Sequence, residues 1–549
     1  MHRPLPRFNP APVALAVALV LSLPAMAQTQ SAPDSSKVAI AIAAQPLGAA
    51  LNELSAATGT PIAFPPALVA GKTAPAVKGA LTAFQAVAQL LTGSGLSASQ
   101  DGRTIVIRAV TNASDATLPE VKVTAASTRD GTTEGSGSYK ARYTNTATKL
   151  DLSPRETPQT ITVVTRQQMD DFGMTSVDDA LKAASGIFVG DRGNNGSVYY
   201  SRGFELQSQY DGIPNPIGIS ESNRAPQIDN AFLDRVELLQ GPSGLLTGAG
   251  TPGGTINLIR KRPTESFQAQ TEVQLGSWNQ RRLVSDVSGP LTESGRVRAR
   301  LVALADDSDS FVNYAYRNRR AAYGIIEVDL TESTTLSASI QYQKDSGRNH
   351  LGVPFATNGN DPGLGRSSYF GDKNNRTEKD QTIYTLGLSQ RLSEDWTLKA
   401  NYTHQKTINN TYNYGFIWGD LNATTGDGLV IYRQPLLAQQ IRSDALDAYL
   451  SGKVEFFGRE HELAFGLNGL SMQSANQGGY GDPVAINAFT FNPGSLGAIT
   501  SVGKYSGETK ITQLGMYGVG RFSLSDSFKL GMVFKTRLKP ADSGRLATT

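Results

Sequence analysis

Few residues in this chain could carry chemistry. No cysteine occurs in 549 residues, which removes disulfide staples, thiolate metal sites and cysteine nucleophiles. The four histidines, His2, His350, His404 and His461, lie far apart without ligand spacing such as H-x-x-x-H, so no protein-borne metal centre is indicated. No nucleophile, base and orienter can be assembled into a catalytic constellation, and the chain does not read as an enzyme. One glycine pattern remains, because Gly248, Gly250 and Gly253 fit G-x-G-x-x-G, the spacing of a dinucleotide-binding turn. That turn needs a helix directly after the glycines so that its N-terminus can hold a pyrophosphate. Here Pro252 interrupts the spacing and Gly254 to Ile259 continues as a strand, so the glycines are read as backbone crossings with positive φ or close approach. No intrinsic cofactor is expected. Charge is nearly balanced, 51 Lys plus Arg against 48 Asp plus Glu, and gives no argument for a nucleic-acid partner.

The elements around those glycines explain them better. Leu233 to Pro263 holds six glycines and three prolines between two apolar strand-like runs, a turn-built core rather than a linker. Upstream, Arg3 and Arg7 precede an apolar run from Ala11 to Leu23 and the small-residue site Ala25-Met26-Ala27, so residues 1–27 read as a secretory signal. No later stretch offers about eighteen consecutive apolar residues, and an exported chain of this kind can span a membrane only as a closed β-barrel. Residues 37–109 alternate strand and helix patterns. Leu47, Ala50, Leu51 and Leu54 share one helical face ended by Gly59, and Phe84, Val87, Leu90 and Leu91 repeat this before Gly93. Residues 110–142, rich in Ser, Thr, Ala and Gly, read as a flexible linker. Within it Leu118 to Ala125 carries alternating β-formers, which suit either a plain linker strand or pairing with the edge of another protein's sheet.

Several of these segments carry a family resemblance. The run from Ala43 to Ile107 resembles the secretin and TonB N-terminal short (STN) domain, which implies a periplasmic α+β module that passes a signal to an anti-sigma regulator. The segments ETPQTITVVTRQQMDDFG, SRGF, YDGIP and DRVELLQGPSGLLTGAGTPGGTINLIRKRPT, in that order, resemble the plug of TonB-dependent ferric-siderophore receptors. The resemblance implies a plug over residues 143–263, with Arg202, Gly203, Phe204, Asp211, Gly212, Glu237, Gly241, Pro242, Gly253 and Gly254 as its motif positions. It also implies that Glu120, Val121, Lys122, Val123, Thr124 and Ala125, within 118–125, form the box gripped by TonB. The ligand would be an Fe(III)-siderophore, met by Arg192, Asn194, Gln207, Gln209 and Tyr210 near plug turns, and the location the outer membrane.

Residues 266–534 alternate at period two. Leu336, Ala338, Ile340 and Tyr342 alternate with polar neighbours, as do Leu446, Ala448, Leu450 and Val454. Apolar-out, polar-in strands indicate an antiparallel transmembrane β-barrel with a wet lumen. The connections Asp306 to Arg320, Asp345 to Glu378 and Thr407 to Pro435 read as long outer loops, the last carrying Tyr412, Tyr414, Phe416 and Trp418. Eleven or twelve strand candidates fit the interval, about half of the twenty-two that the resemblance implies. Residues 535–549 do not read as strand, and the expectation is a C-terminally truncated barrel with an aberrant tail. The functional expectation is TonB-dependent uptake of a ferric siderophore with signalling through the STN domain. The alternatives are a secretin-like or passive pore component, or a receptor for another solute.

Overall fold

A computed structural model describes residues 37–101, 104–109, 131–191, 196–215, 228–242, 251–348, 350, 352–539 and 544–548. The signal at 1–27, the box at 118–125, Arg192, Asn194, Gly248 and Gly250 lie outside the described residues. The chain divides into two compact units, Met1–Ala125 and Ala126–Thr549.

In the first unit the elements are β1 (Val38–Ile42), β2 (Gln45–Pro46), α1 (Leu47–Thr58), β3 (Ile62–Ala63), α2 (Pro66–Val69), β4 (Thr73–Ala74), β5 (Val77–Leu81), α3 (Ala83–Leu90), β6 (Leu96–Asp101) and β7 (Thr104–Ala109). Helix α1 buries Leu47, Ala50, Leu51 and Leu54 and stops at Gly59, whose φ of 64° a side chain would disfavour. Helix α3 starts in a capping box, Thr82 accepting from the Gln85 amide while the Gln85 side chain accepts from the Thr82 amide. Both helices bury apolar residues in one core with Ile40, Ile42, Ile105 and Ile107 from the strands, but Phe84, expected on the buried face of α3, is 39% exposed at its first turn.

The second unit begins with the plug: β8 (Ile161–Val164), α4 (Arg166–Asp171), α5 (Val177–Lys182), β9 (Ile187–Asp191), β10 (Ser197–Ser201), β11 (Phe204–Glu205), β12 (Gln207–Tyr210), β13 (Ile213–Asn215), β14 (Leu233–Gln240) and β15 (Gly254–Arg260). Five strands form a sheet in the order β13-β12-β15-β14-β8, in which β12 and β15 are parallel and the other pairs antiparallel. Strands β9 to β11 make a second, three-stranded sheet. Helix α5 opens on Ser176, which forms a capping box with Asp179, and Asp178 and Asp179 in its first turn complement the positive end of the helix dipole.

Around the plug runs a wall of β16 (Gln268–Gly276), β17 (Gln280–Pro290), β18 (Val297–Asp309), β19 (Tyr316–Thr331), β20 (Thr334–Gly347), β21 (Arg376–Arg391), β22 (Trp396–Gly419), β23 (Leu429–Phe456), β24 (Arg459–Gly481), β25 (Val484–Ile486), β26 (Ser501–Ser523), β27 (Lys529–Lys539) and β28 (Gly544–Thr548). Eleven of these pair antiparallel in chain order, while β25 adds to β23 and β28 to β26. Alternation is clearest in the middle of the central strands. On β22 Thr403, Gln405, Thr407 and Thr411 are buried on the plug side, and apolar residues such as Leu386, Leu446 and Phe465 are exposed on the other face.

Plug and wall share one apolar core. Met169, Leu181, Phe232, Val236, Leu238 and Ile256 of the plug cluster with Val284, Val302, Leu304, Tyr323 and Ile383 of the wall. The Phe232 ring, 0% exposed, meets the Tyr323 ring at a centroid distance of 5.9 Å.

Two expectations about the wall are corrected. Residues 535–549 are not free of strand, since β27 runs on to Lys539 and β28 pairs Gly544–Thr548 with Lys510–Ser506. Backbone pairing along the exposed edge of the longer β26 needs no apolar alternation, which is why the pattern missed it. The segments Asp306 to Arg320 and Thr407 to Pro435 are mostly strand, with connections only at 310–315 and 420–428, so Tyr412, Tyr414, Phe416 and Trp418 stand on β22. Beyond the hydrocarbon layer both faces of a strand meet water, and the two-residue period fades while the ladder continues.

Phe232→Ala removes a fully buried ring that joins plug to wall, and a loss of about 3–5 kcal/mol is expected in urea unfolding of the purified protein. Gly254 has φ 127°, and a Cβ there would fall 2.0 Å from the Leu239 carbonyl oxygen. Gly254→Ala should therefore strip the plug of its central β14–β15 pairing and yield little folded protein, whereas Gly497→Ala, facing open space, should leave the unfolding midpoint unchanged.

Candidate functional site

The plug motifs turn out to be turn geometry. Arg202 and Gly203, at φ 52° and 83°, are the two residues between the paired Ser201 and Phe204. Asp211 and Gly212, at φ 49° and 78°, do the same between Tyr210 and Ile213, a backbone that asks for Gly, Asn or Asp. Asp211 also accepts from the Arg260 amide at 2.9 Å and from its Nε at 2.7 Å, tying the turn to the end of β15. Gly241 donates to the Gly253 carbonyl at 3.2 Å, and the Pro242 carbonyl accepts from Gln159. A Cβ on Gly253 would lie 2.6 Å from the Phe204 carbonyl oxygen. Gly203 and Gly241 thus supply positive φ, and Gly253 and Gly254 supply close approach.

Of the residues expected to meet a ligand, Gln207 is half-buried on β12, while Gln209 and Tyr210 are each only 5% exposed. Gln209 and Tyr210, expected near a plug turn, do stand beside Asp211-Gly212 but are buried there rather than exposed. β12 lies between β13 and β15, so Tyr210 turns into the apolar core, and burial raises its hydroxyl pKa. Aromatic surface appears instead on the wall's long connections and the strand ends beside them. Phe370 and Phe491 stack at 5.7 Å in a cluster with Leu421, Leu429 and Ala488, while Phe355 and Trp418 remain exposed.

The polar counterpart lies between residues 131–152, the plug sheet and the wall. The Asp234 carboxylate accepts from the amides of Thr133 at 3.0 Å and Glu134 at 2.7 Å and pairs with Arg235 at 2.7 Å. Burial raises the Asp234 pKa despite Arg235 and the two amides. Arg235 reaches across to Glu237 at 2.6 Å, and Glu237, 0% exposed, also accepts from the hydroxyls of Thr144 and Thr146. Asn257 donates to Thr146 and accepts from the Gly212 amide. Glu237 is therefore the centre of a closed polar network rather than a ligand group.

Charged groups then fasten this assembly to the wall. Asp229 meets Arg282 at 2.5 and 2.8 Å and Arg319 at 3.2 Å. Burial pushes the Asp229 pKa up, but the two guanidinium groups outweigh it and hold it below the usual carboxylate value. Glu134 meets Arg300 at 2.5 and 2.6 Å, and with Lys261 nearby its pKa is likewise lowered against the pull of burial. Lys149 bridges the Gly212 carbonyl at 3.0 Å and Asp447 of β23 at 2.8 Å, and Arg262 pairs with Glu327 at 2.6 Å. A polar cavity of about 370 Å³ remains among the 131–152 segment, the plug sheet and wall strands β18 to β23. Sequence reasoning missed Asp229, Asp234, Glu134 and Lys149. Their partners lie as far as 298 residues away, as Lys149 and Asp447 do, and no local pattern marks them.

Comparison with known proteins places this geometry. Residues 153–255 match the TonB-dependent Receptor Plug Domain, residues 60–110 the Secretin and TonB N terminus short domain, and residues 322–532 the TonB dependent receptor-like β-barrel. The ferripyoverdine receptor of Pseudomonas aeruginosa is 39% identical over 83% of this chain and 56% of its own length. The ferric-pyoverdine 358 receptor of Pseudomonas putida is 33% identical over 94% of this chain and 63% of its own. The chain thus spans about three-fifths of the curated relatives it matches. A crystal structure of the ferripyoverdine receptor of the Pseudomonas aeruginosa outer membrane, bound to ferripyoverdine, superposes with a TM-score of 0.66 at 35% identity, covering 92% of this chain and 67% of that one. The plug, the wall around it and the N-terminal module agree with these relatives: the chain belongs to the TonB-dependent receptors of the outer membrane.

Proposed function

We propose that this chain takes up a ferric siderophore of the pyoverdine type, driven by TonB, and reports ligand occupancy through residues 60–110 to an anti-sigma regulator. The observation that carries the reading is the plug seated by buried charge pairs inside an antiparallel wall, in a chain 39% identical to a ferripyoverdine receptor. A plug filled by an apolar core and a closed polar network passes no solute by itself, so uptake needs an external source of work. The segment Glu120 to Ala125 supplies the handle, because an extended strand can add to a sheet edge of TonB through backbone hydrogen bonds with little demand on side chains. The iron chelate is cargo. Exposed aromatics such as Trp418 and Phe355 and the plug's outward turns, with Gln207 near them, offer stacking and hydrogen-bonding surface for it.

Growth on single iron sources, in cells that lack other receptors and carry the full-length gene, tests the substrate. Ferripyoverdine should support growth, and growth only on a different chelate would remove the pyoverdine assignment. Val121→Pro deletes an amide donor from the box, so uptake and crosslinking to TonB should fall at least about tenfold while ferripyoverdine binding to whole cells stays unchanged. Unchanged uptake would refute the box.

A further inference from the structure

The face of the wall that turns away from the plug changes chemistry along a single row. On four neighbouring strands the cross-strand partners Lys406 of β22, Arg442 of β23, Gln473 of β24 and Lys510 of β26 stand side by side. Two residues nearer the short turns the row reads His404, Asp444, Ser471 and Thr512, and two further Tyr402, Leu446, Gly469 and Leu514. Leu446 and Leu514 are 46% and 43% exposed, whereas Gln405, Ser443 and Met472 on the other face are buried. The same step from apolar to basic recurs on the strands before them, where Arg281 of β17 and Lys344 of β20 stand above the exposed Leu283 and Ile340.

We infer that Lys406, Arg442 and Lys510 bind the anionic phosphate of a lipid in the outer leaflet, whose acyl chains lie along the apolar rows beneath them.

Three observations carry it. The first is the level of the row. From Leu463 to Gln473 on β24 the chain advances about 33 Å at about 3.3 Å per residue, or about 25 Å along the membrane normal at a tilt near 40°, which is the height of the apolar band of such a barrel. The long connections 420–428 and 487–500 lie beyond the row and the short turns 392–395 and 457–458 at the other end, so the row stands at the outer edge of the band. Tyr402 and Tyr384, whose ring lies 6.4 Å from that of His404, mark the same edge. The second is unanswered charge. Asp444 is already taken by Tyr402 at 2.6 Å and His404 at 2.8 Å, and Glu508 stands one row above Lys510. Among the described residues no ion pair holds Lys406, Arg442 or Lys510, of which Arg442 and Lys510 are exposed. Elsewhere the outward cations are matched, Arg320 by Asp307 at 2.6 and 2.7 Å, and at the short-turn end Lys453 by Glu460 and Arg459 by Asp526. The third is shape. Between Leu446 and Leu514 the residue is Gly469, where a Cβ would stand 3.6 Å from Leu514, so a shallow trough leads from the gap between Arg442 and Lys510 down into the apolar rows. A guanidinium fork and two ammonium groups at the head of an apolar trough match a phosphate joined to acyl chains.

Native mass spectrometry of the full receptor, extracted from outer membranes in mild detergent, tests the site, and the outcome does not depend on which chelate is carried. The wild type should keep a phosphate-bearing acylated lipid, and Lys406→Gln/Arg442→Gln/Lys510→Gln should reduce it at least about tenfold. Lys453→Gln/Arg459→Gln, at the short-turn end, should keep it; equal loss from that variant would mean diffuse charge attraction and overturn the inference. Titration of the stripped receptor with phosphatidic acid in detergent micelles reads the same site. The triple variant should bind at least about tenfold more weakly, and Arg442→Gln, a single exposed side chain that leaves the fold intact, about fivefold. Equal affinity in wild type and both variants would overturn the inference. Displacement of phosphatidic acid by equimolar inorganic phosphate would make the row a site for a free anion and overturn it as well.

Discussion

The carboxylate of Asp229, 1% exposed, sits between Arg282 and Arg319, and the position of the plug follows from it. A buried charge without its partner costs several kcal/mol, while a paired one roughly breaks even. The pair therefore adds little net stability but penalises every other seating. Rotating the plug within the wall would leave Asp229 buried without either arginine, while Arg319 would keep Asp345 and Arg282 would keep Asp306 on the wall. The shared apolar core around Phe232 and Tyr323 supplies the attraction, which is non-directional, and the charges supply the angle.

The same division explains why the interior of the plug is built in two ways. On the helix side, α4 and α5 press Met169, Ala180 and Leu181 against β14 and the wall, a close-packed contact that gives way only as a whole. On the opposite side, Glu237 accepts from Thr144 and Thr146, and Asn257 bonds Thr146 and the Gly212 amide. Replacing that network by well-packed apolar residues would often be neutral or stabilising.

Much of this was legible in the sequence, for identifiable reasons. The face of α1 follows from Leu47, Ala50, Leu51 and Leu54, that of α3 from Val87, Leu90 and Leu91, although Phe84 of the same pattern is 39% exposed, and the start of α5 from Ser176 with Asp179. The rejection of a nucleotide turn rested on Pro252 and on the strand beginning at Gly254, and β15 starts there. What stayed hidden depends on long-range pairing. The polarity of Gln209 and Tyr210 suggested a surface, yet β12 is an inner strand of the plug sheet and buries them, because position in the sheet order overrides side-chain character. The ties of Thr133 to Asp234 and of Lys149 to Asp447 join positions 101 and 298 residues apart, where no spacing rule reaches.

The wall strands themselves show why their edges were misread. β23 has 28 residues, roughly 90 Å at about 3.3 Å per residue, whereas a tilted strand crosses the hydrocarbon in about ten. Only that middle portion is obliged to alternate. Above it the ladder from β21 to β26 continues in water, and the pairs Phe416 with Tyr432 and Tyr480 with Tyr505, at ring separations of 5.2 and 5.1 Å, supply cross-strand contacts there. The projecting part is held by backbone pairing and aromatic contacts rather than by the bilayer. The loops packed around Phe370 and Phe491 accordingly stand on a scaffold that does not depend on lipid for its form.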